Sequence, residues 1–255
     1  MVRPWTFKPG QHLYLYMPTV ALWTSHPFTA AWSDVSEEPA NEKELALASQ
    51  DVFSVRKPTV SLIIRRRTGF TNTLFERAAS SPHGRLSLPA VVEGPYGNEH
   101  SLDSYGTVVL FAAGVGITHN VCFVRHLLQG YADGTVAARR VTLVWIIQVP
   151  EHLEWIRPWM TAILGMEHRR DLLRIMLFVT RPRNTREIHS PSSTVQMFPG
   201  KPDIPTLLDG EVDNQIGAMG VMVCGTGSLS DEVRSACRTR QQRSHIDFVE
   251  ECFTW

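Results

Sequence analysis

The chain lacks a charge imbalance, a paired-cysteine pattern and a long apolar run, and each absence excludes a class of protein. Lysine plus arginine and aspartate plus glutamate both number 25 in 255 residues, so bulk charge does not favour nucleic acid as a partner. The cysteines form no CxxC pair, which argues against a structural zinc site or a disulfide framework and fits a reducing compartment. No run of about 18 apolar residues occurs, so no transmembrane helix is predicted within this sequence.

The sequence also lacks a recognisable hydrolytic set. No Ser-His-Asp arrangement, carboxylate pair or metal-ligand cluster stands out, and we predict no metal among the site residues. Hydrophobic residues make up 43% of the chain and charged residues 20%, which is typical of a globular protein rather than a disordered one. The chain starts at Met1 almost directly on a strand pattern, and we expect an N-terminally truncated first domain.

The first hundred residues have the pattern of antiparallel β structure. Residues 11–17 alternate between apolar and polar side chains, and 60–65 and 88–92 are further strand-like runs. Residues 72–79 predict one short helix, and 33–50 predict a surface insertion. Short strands separated by proline and glycine turns predict an antiparallel β-barrel.

From about residue 104 the pattern changes to strands that alternate with helices. The predicted strands are 108–112, 141–147, 175–179, 221–224 and 246–249. The predicted helices are 119–129, 151–164 and 229–240, with Ser228 or Ser230 as the cap of the last one and a loop-rich stretch at 181–205. This alternation predicts a doubly wound parallel sheet covered on both faces. We therefore expect two domains, a β-barrel at 1–103 and an α/β domain at 104–255.

Two short motifs carry the chemistry. Residues 26–29 read HPFT, and residues 114–118 read GVGIT directly after the apolar run 107–113. A strand that ends in glycines and opens a helix presents backbone N–H groups at the positive end of the helix dipole, where a pyrophosphate binds. Taken singly, the first motif favours a turn with a buried histidine. For the second motif, a strand-to-helix turn without a ligand is the less favoured alternative.

Taken together, the motifs resemble those of a known family. A barrel followed by an α/β domain, with HPFT, GPYG at 94–97, GVGIT and a late Cys-Gly, resembles the ferric reductase–NADPH oxidase group of the ferredoxin–NADP reductase superfamily. The GQH at 10–12 and the ending at 246–255 are similar to fungal metalloreductases in particular. The resemblance implies an FAD-binding barrel followed by an NADPH-binding α/β domain.

The resemblance implies roles for particular residues. The expected FAD contacts are His26, Pro27, Phe28, Thr29, Arg65, Thr71 and Gly94. Thr29 matches the hydroxyl residue near the flavin N5, whereas Arg65 and Thr71 match the pyrophosphate site. A flat ring system is suited by apolar and aromatic neighbours, and phosphate by a guanidinium and a helix start.

The expected contacts of the nicotinamide nucleotide are Gly114, Gly116, Ile117, Thr118, Cys224 and Gly225. His119 stands where the third glycine of a GxGxxG fingerprint would fall, which argues against a classical dehydrogenase. Arg181 and Arg183 could grip a 2′-phosphate or could equally be solvated. Thr29, Cys224 and the terminal Trp255 are the expected catalytic residues, with Phe253 as the alternative aromatic that shields the flavin.

The resemblance implies an oxidoreductase that passes hydride from NADPH to FAD and then single electrons onward. The expected acceptors are haem b in a transmembrane domain outside this chain, and finally ferric or cupric chelates in iron uptake. The expected location is the cytosolic face of the plasma membrane. Two alternatives stay open: a superoxide-generating NADPH oxidase domain, and a catalytically inert remnant that only binds nucleotide or docks on a reductase.

Overall fold

A computed structural model describes residues 7–36, 57–97, 100–184 and 188–251 of the chain. The N-terminal strands are β1 (His12–Tyr16), β2 (Ser25–Thr29), β3 (Trp32–Ser36), β4 (Lys57–Ser61) and β5 (Val91–Tyr96). Helix α1 (Phe70–Ala79) and a 3-10 turn (Pro82–Gly84) lie between β4 and β5. All strand pairs of this part are antiparallel, in one sheet of order β2-β1-β5 and a second of β3 and β4.

The C-terminal part alternates strands and helices. Its strands are β6 (Thr107–Ala113), β7 (Arg140–Ile147), β8 (Leu173–Val179), β9 (Val195–Pro199), β10 (Met219–Cys224) and β11 (Ile246–Glu251). Its helices are α2 (Ile117–Asp133), α3 (Arg157–Leu164), α4 (Arg169–Leu172), α5 (Ile204–Asp213) and α6 (Gly227–Arg240), with 3-10 turns at Gly114–Gly116 and Pro150–Ile156.

One parallel sheet organises this part. Its strand order is β11-β10-β6-β7-β8-β9, and every neighbouring pair is parallel. The chain builds outward from β6 to β9 and then returns to place β10 on the other side of β6. The carboxyl ends of β6 and β10 therefore lie side by side at the topological switch point, where open α/β sheets bind their ligands.

The alternation of side chains along β6 divides the core into two layers. Leu110 packs with Val121 and Val124 of α2 on one face of the sheet, and these three side chains are fully buried. Phe111 packs on the other face with Leu208 of α5 and other apolar side chains of that layer. A strand buried on both faces has a continuous apolar sequence, as β6 does.

Helix α2 also holds the antiparallel part in place. The Cys122 thiol donates to the Ala31 carbonyl oxygen over 2.8 Å, and burial raises the pKa of this thiol to about 12. The Arg125 guanidinium lies 4.3 Å from the ring centroid of Trp32, whose ring stacks on Trp159 at 5.9 Å. The two parts are therefore joined through side chains of one helix and one stacked tryptophan pair.

The fold class predicted from the sequence is confirmed, with shifts at several boundaries. The second predicted strand, 60–65, lies earlier, at Lys57–Ser61, and the third, 88–92, lies later, at Val91–Tyr96. The predicted insertion at 33–50 begins in β3, and residues 37–50 lie outside the described residues. Pairing changes from antiparallel to parallel between β5 and β6, and the division into 1–103 and 104–255 stays a prediction.

Three predictions of local structure are wrong. The stretch 181–205, expected to be loop-rich, contains the short edge strand β9 and the start of α5, and tertiary pairing with β8 rather than a strong local pattern creates β9. The helix expected over 151–164 is a 3-10 turn followed by α3. The cap of α6 is Thr226 rather than Ser228 or Ser230, because the helix begins at Gly227 and the Thr226 side chain accepts from the Leu229 N–H.

A buried ion pair gives a test of this packing. Glu211 of α5 is 5% exposed and accepts from Arg140 Nη2 and Thr142 Oγ1, each over 3.0 Å. We expect Glu211→Ala to lower the free energy of unfolding by about 3–5 kcal/mol, because it leaves the largely buried Arg140 guanidinium without its carboxylate. Glu154→Ala, which removes an exposed partner of Arg157, should cost below about 1 kcal/mol in the same urea titration. Equal losses in the two variants would contradict the assignment.

Candidate functional site

A cleft of about 500 Å³ lies at the carboxyl ends of β6, β7, β8 and β10. Gly114 and Val115 follow β6 and form one wall, and Thr226 and Ser228 at the start of α6 form another. Gln148 after β7 and Thr180 after β8 line its outer end. The cleft therefore lies at the switch point of the sheet.

Two glycine turns lie against each other beside this cleft. A Cβ atom at Gly116 would lie 2.1 Å from the Cys224 carbonyl oxygen, and one at Gly225 would lie 2.8 Å from the Ala113 Cβ. Neither position has room for a side chain, so any substitution must push the ends of β6 and β10 apart. Gly114 has a φ of 55°, which favours glycine for a separate reason. Cys224 is 4% exposed and lies within this contact.

Two residues that follow the first glycine turn, Ile117 and Thr118, hold this turn from inside the protein. Ile117 is fully buried, and Thr118 is 6% exposed and donates through Oγ1 to the Val115 carbonyl oxygen over 2.9 Å. These two residues hold the turn, and the backbone of Gly114 and Val115 lines the cleft. The expected role of Ile117 and Thr118 as direct cofactor contacts stays a prediction.

His119, at the position of the absent third glycine, is a packing residue. It is 2% exposed, its ring lies 5.2 Å from that of Phe123, and its Cε1 lies 3.2 Å from the position a Cβ of Gly10 would occupy. Burial, and to a smaller extent the nearby His100, lowers the pKa of His119 to about 4. The departure from the fingerprint therefore places an uncharged ring between α2 and the antiparallel part.

The antiparallel part contributes a cation to the cleft. Arg65 lies in the segment after β4 and lines the cleft together with His152 and Trp155. The rings of His152 and Trp155 stack at 4.0 Å. Burial lowers the pKa of His152, Glu151 opposes that shift, and the charge of Arg65 adds to it. The sequence predicted Arg65 as a phosphate contact but gave no sign of the stacked pair.

Lys201 is a further cleft residue that sequence reasoning missed. It lies in a Gly-Lys-Pro turn between β9 and α5, and Gly200 there has a φ of 89°. The Gly200 N–H donates to the Val179 carbonyl oxygen over 2.7 Å, which ties the turn to the end of β8. Asp203 caps α5 by accepting from the Thr206 N–H. In the sequence, Gly-Lys-Pro followed by an Asp that caps a helix is a signal for this turn. Recognising β9 and α5 would therefore have pointed to Lys201.

Arg181 and Arg183 are not among the residues that line this cleft. Arg183 lies 3.3 Å from Glu151 and lines a separate cavity of about 690 Å³. Arg181 is exposed, and its backbone N–H donates to the Gln148 carbonyl oxygen over 2.8 Å. The structure thus places one cation of this loop in an ion pair and the other at the surface.

The HPFT motif lies on strand β2, and its side chains divide between two faces. The His26 ring stacks on Phe70 at 4.4 Å, and the Phe28 ring lies 6.3 Å from the same residue. Thr29 pairs with His12 in the register with β1, and the period of two along a strand directs it to the opposite face with Pro27. His26 and Phe28 are therefore brought together at the start of α1, and Thr29 is not on their face.

The start of α1 has no side-chain cap, because its N-cap residue is Gly69. Gly69 has a φ of 69°, and no atom lies within 4 Å of a Cβ placed on it. Thr71 Oγ1 accepts from the Arg67 N–H over 2.9 Å. Arg66 is exposed, and its Nε donates to Asn72 Oδ1 on α1 over 2.8 Å.

The remaining predicted residues lie at the ends of the two parts. Gly94 lies in β5 with a φ of 142°, and a Cβ there would lie 3.3 Å from the His12 carbonyl oxygen, so this glycine packs closely against β1. Its expected contact with FAD stays a prediction. Trp255 and the alternative Phe253 lie outside the described residues. No helix among the described residues combines the length and the apolar character that a bilayer crossing requires.

Comparison with known protein families shows which family this chain belongs to. The family model described as the ferric reductase NAD binding domain matches residues 105–188 and 183–238, which together are more than half of the chain. The chain belongs to the ferric reductase NAD-binding family. A second model, described as an FAD-binding domain, matches residues 1–47. The expected ferric reductase dehydrogenase region is confirmed, as are FAD and a nicotinamide nucleotide as its cofactors.

Curated relatives of this ferric reductase region are longer proteins. A probable cell surface ferric reductase of Aspergillus oryzae is 31% identical over 59% of the chain, which spans 19% of that relative. The ferric reductase transmembrane component 3 of Saccharomyces cerevisiae is 22% identical over the whole chain, which spans 36% of it. The heavy chain of a superoxide-generating NADPH oxidase of Dictyostelium discoideum is 22% identical over 97% of the chain, which spans 37% of it.

Solved structures share the fold. The CS-b5R domains of human Ncb5or match with a TM-score of 0.58 and 18% identity, over 95% of this chain and 61% of that one. The flavohem-like FAD/NAD binding domain of a Vibrio cholerae nitric oxide dioxygenase matches with a TM-score of 0.53 and 12% identity, over 96% and 86%. At these identities the likeness concerns the fold, and it agrees with the two-part architecture.

The buried His119 predicts a pH dependence of stability. Its folded pKa of about 4 lies below the ordinary value of 6.5, so the unfolded chain binds the proton first as the pH falls. The contribution of neutral His119 to the free energy of unfolding is therefore fully present above pH 6.5. It is lost as the pH falls toward 4, by on the order of 3 kcal/mol in total. We expect His119→Gln to flatten this part of the pH profile in urea titrations, and His245→Gln, at an exposed position, to leave it unchanged. A profile as steep in the first variant as in the wild type would refute the assignment.

Proposed function

We propose that this chain is the NADPH-oxidising, FAD-carrying portion of a ferric-chelate reductase. The observation that carries the proposal is the cleft at the switch point, where Arg65 of the antiparallel part lines the same space as the glycine turn of the parallel sheet. A hydride relay requires two nucleotides in contact at one boundary between two folds. This cleft lies at that boundary.

The nicotinamide nucleotide fits the cleft by its phosphates. The backbone of Gly114 and Val115 at the start of the helical segment is suited to a pyrophosphate. Arg65, which the family resemblance assigns to the FAD pyrophosphate, lines the same cleft. The hydroxyls of Thr226 and Ser228 lie on the facing wall. The nicotinamide end is then proposed to extend toward the end of β10, where Cys224 and Gly225 pack against the residues that follow β6. Orientation and exclusion of water are what these residues contribute to hydride transfer.

The flavin fits the antiparallel part. His26 and Phe28 gather at the start of α1, whose open N-terminus at Gly69 is suited to the second pyrophosphate, with Thr71 beside it. Thr29 ends the same strand, and its hydroxyl is the group proposed to contact the flavin N5. Because Thr29 is directed to the opposite face of β2 from His26 and Phe28, this contact requires the flavin ring to extend past the end of β2. When bound, FAD accepts a hydride and releases electrons singly. The terminal aromatic, Trp255 or Phe253, is proposed to cover the flavin in the absence of nicotinamide.

The wider role follows from the relatives rather than from the cleft. Several are named ferric reductase transmembrane components, and the chain spans about a third of their length. We therefore propose that the electrons pass to haem b in a transmembrane domain and reach ferric or cupric chelates. The dehydrogenase portion would lie at the cytosolic face of the plasma membrane.

A second candidate is a superoxide-generating oxidase. The heavy chain of the Dictyostelium NADPH oxidase matches 97% of the chain at about the same identity as the yeast reductase. The two candidates share every residue assigned above and differ in the final acceptor.

The proposal is tested on the purified chain supplied with FAD. We expect a bound-flavin absorbance spectrum and NADPH-dependent reduction of ferricyanide. Reduction of a ferric chelate without oxygen consumption favours the reductase, and superoxide formation in the absence of iron favours the oxidase. A chain that binds neither FAD nor NADPH would sink both candidates in favour of an inert remnant.

The preference for NADPH is proposed to rest on Lys201, which lines the cleft where Arg181 and Arg183 do not. Loss of a charge-assisted contact to the 2′-phosphate is worth about 1.5–3 kcal/mol, so Lys201→Ala should raise the KM for NADPH at least roughly tenfold. The KM for NADH should stay unchanged, since it has no 2′-phosphate. Arg183→Ala is the matched control and should change neither value. An equal rise for both nucleotides in Lys201→Ala would assign the lysine to another part of the ligand.

A further inference from the structure

The loop that follows β6 is tied to the neighbouring strand by a buried indole. Trp145 lies on β7, pairs with Ala112 of β6 in the sheet register and is 1% exposed. Its Nε1–H donates to the carbonyl oxygen of Gly114 over 3.0 Å. This hydrogen bond reaches across the end of β6 to the residue at which the glycine turn begins.

The Gly114 carbonyl oxygen has a second donor. The backbone N–H of Ile117 also donates to it, as the closing bond of the 3-10 turn that leads into α2. A carbonyl oxygen has two lone pairs, so the indole and the Ile117 amide together occupy both of them. The oxygen is thus directed to partners inside the protein.

The direction of this carbonyl matters for an anionic ligand. A phosphate is attracted by backbone N–H groups and repelled by carbonyl oxygens, so a turn binds anions only when its carbonyls point away. Gly114 has a φ of 55° and nothing within 4 Å of a Cβ placed on it, so no side-chain packing holds its peptide in one orientation. Its carbonyl is held by the Ile117 amide within the turn and by the Trp145 indole, and of these two donors the indole comes from another strand.

We propose that Trp145 is a positioning residue that sets the Gly114 peptide for the phosphates of the nicotinamide nucleotide. The inference rests on the proposed function and deepens it. Trp145 does not line the nucleotide cleft; it lines the separate cavity on the same face of the sheet as α3. It therefore acts through Gly114 and not by touching the nucleotide.

Trp145→Phe tests the hydrogen bond, because phenylalanine keeps an aromatic ring at the site and removes the donor. We expect Kd and KM for NADPH to rise about fivefold to tenfold, as for loss of one hydrogen bond, with kcat and FAD content within twofold of wild type. Amide hydrogen exchange of the nucleotide-free protein should become faster in residues 113–118. Trp159→Phe is the matched control, because Trp159 stacks on Trp32 away from the loop, and it should change neither measurement.

The outcomes separate this inference from the proposed function. Unchanged exchange at 113–118 in Trp145→Phe, or unchanged affinity for NADPH, overturns the positioning role. A parallel loss of FAD content and kcat also overturns it, because that pattern belongs to a residue needed only for packing. A wild-type chain that binds no NADPH overturns the proposed function, and the exchange comparison then still decides whether Trp145 orders the loop.

Discussion

The structure depends on the close approach of two backbone turns at the ends of β6 and β10. With 2.1 Å between the Cys224 carbonyl oxygen and the position of a Cβ at Gly116, the two strand ends meet without any side chain between them. This contact places a cysteine, two glycines and the start of a long helix within one small volume. The turn proposed to bind phosphate and the proposed nicotinamide position are near each other because the sheet reverses its winding there.

Helix α2 connects this contact to the antiparallel part. Its first turn continues the glycine loop, and the same helix carries Cys122 and Arg125 to the junction between β2 and β3. It also places His119 against Gly10, before β1. A neutral buried ring, a thiol hydrogen bond and a guanidinium over Trp32 give a junction that mixes apolar and polar contacts. One element therefore supports the glycine turn after β6 and fixes the segment that follows the HPFT strand.

Sequence reasoning found the elements whose signal is local. The apolar run of β6 followed by Gly-Val-Gly, and the amphipathic period of α2, predict a strand, a turn and a helix without any knowledge of the rest of the chain. It failed at β9 and α5, whose strand is short and lies at the sheet edge, and so it missed Lys201 in the turn between them. Arg181 and Arg183 in the preceding loop were candidates for the 2′-phosphate because of their charge. Charge alone does not show toward which side of a sheet a loop faces.

By itself, the sequence determined the order of the two folds, the glycine turns and the family, because strand and turn propensities and joint motifs are local in the chain. Tertiary structure decided which side chains share the cleft. Arg65 and Lys201 are 136 positions apart, and only the pairing of strands brings them to one space. It also separated Thr29 from His26 and Phe28, because a strand directs successive side chains to opposite faces, and it gave the buried Trp145 a hydrogen bond to the loop that no sequence pattern announces.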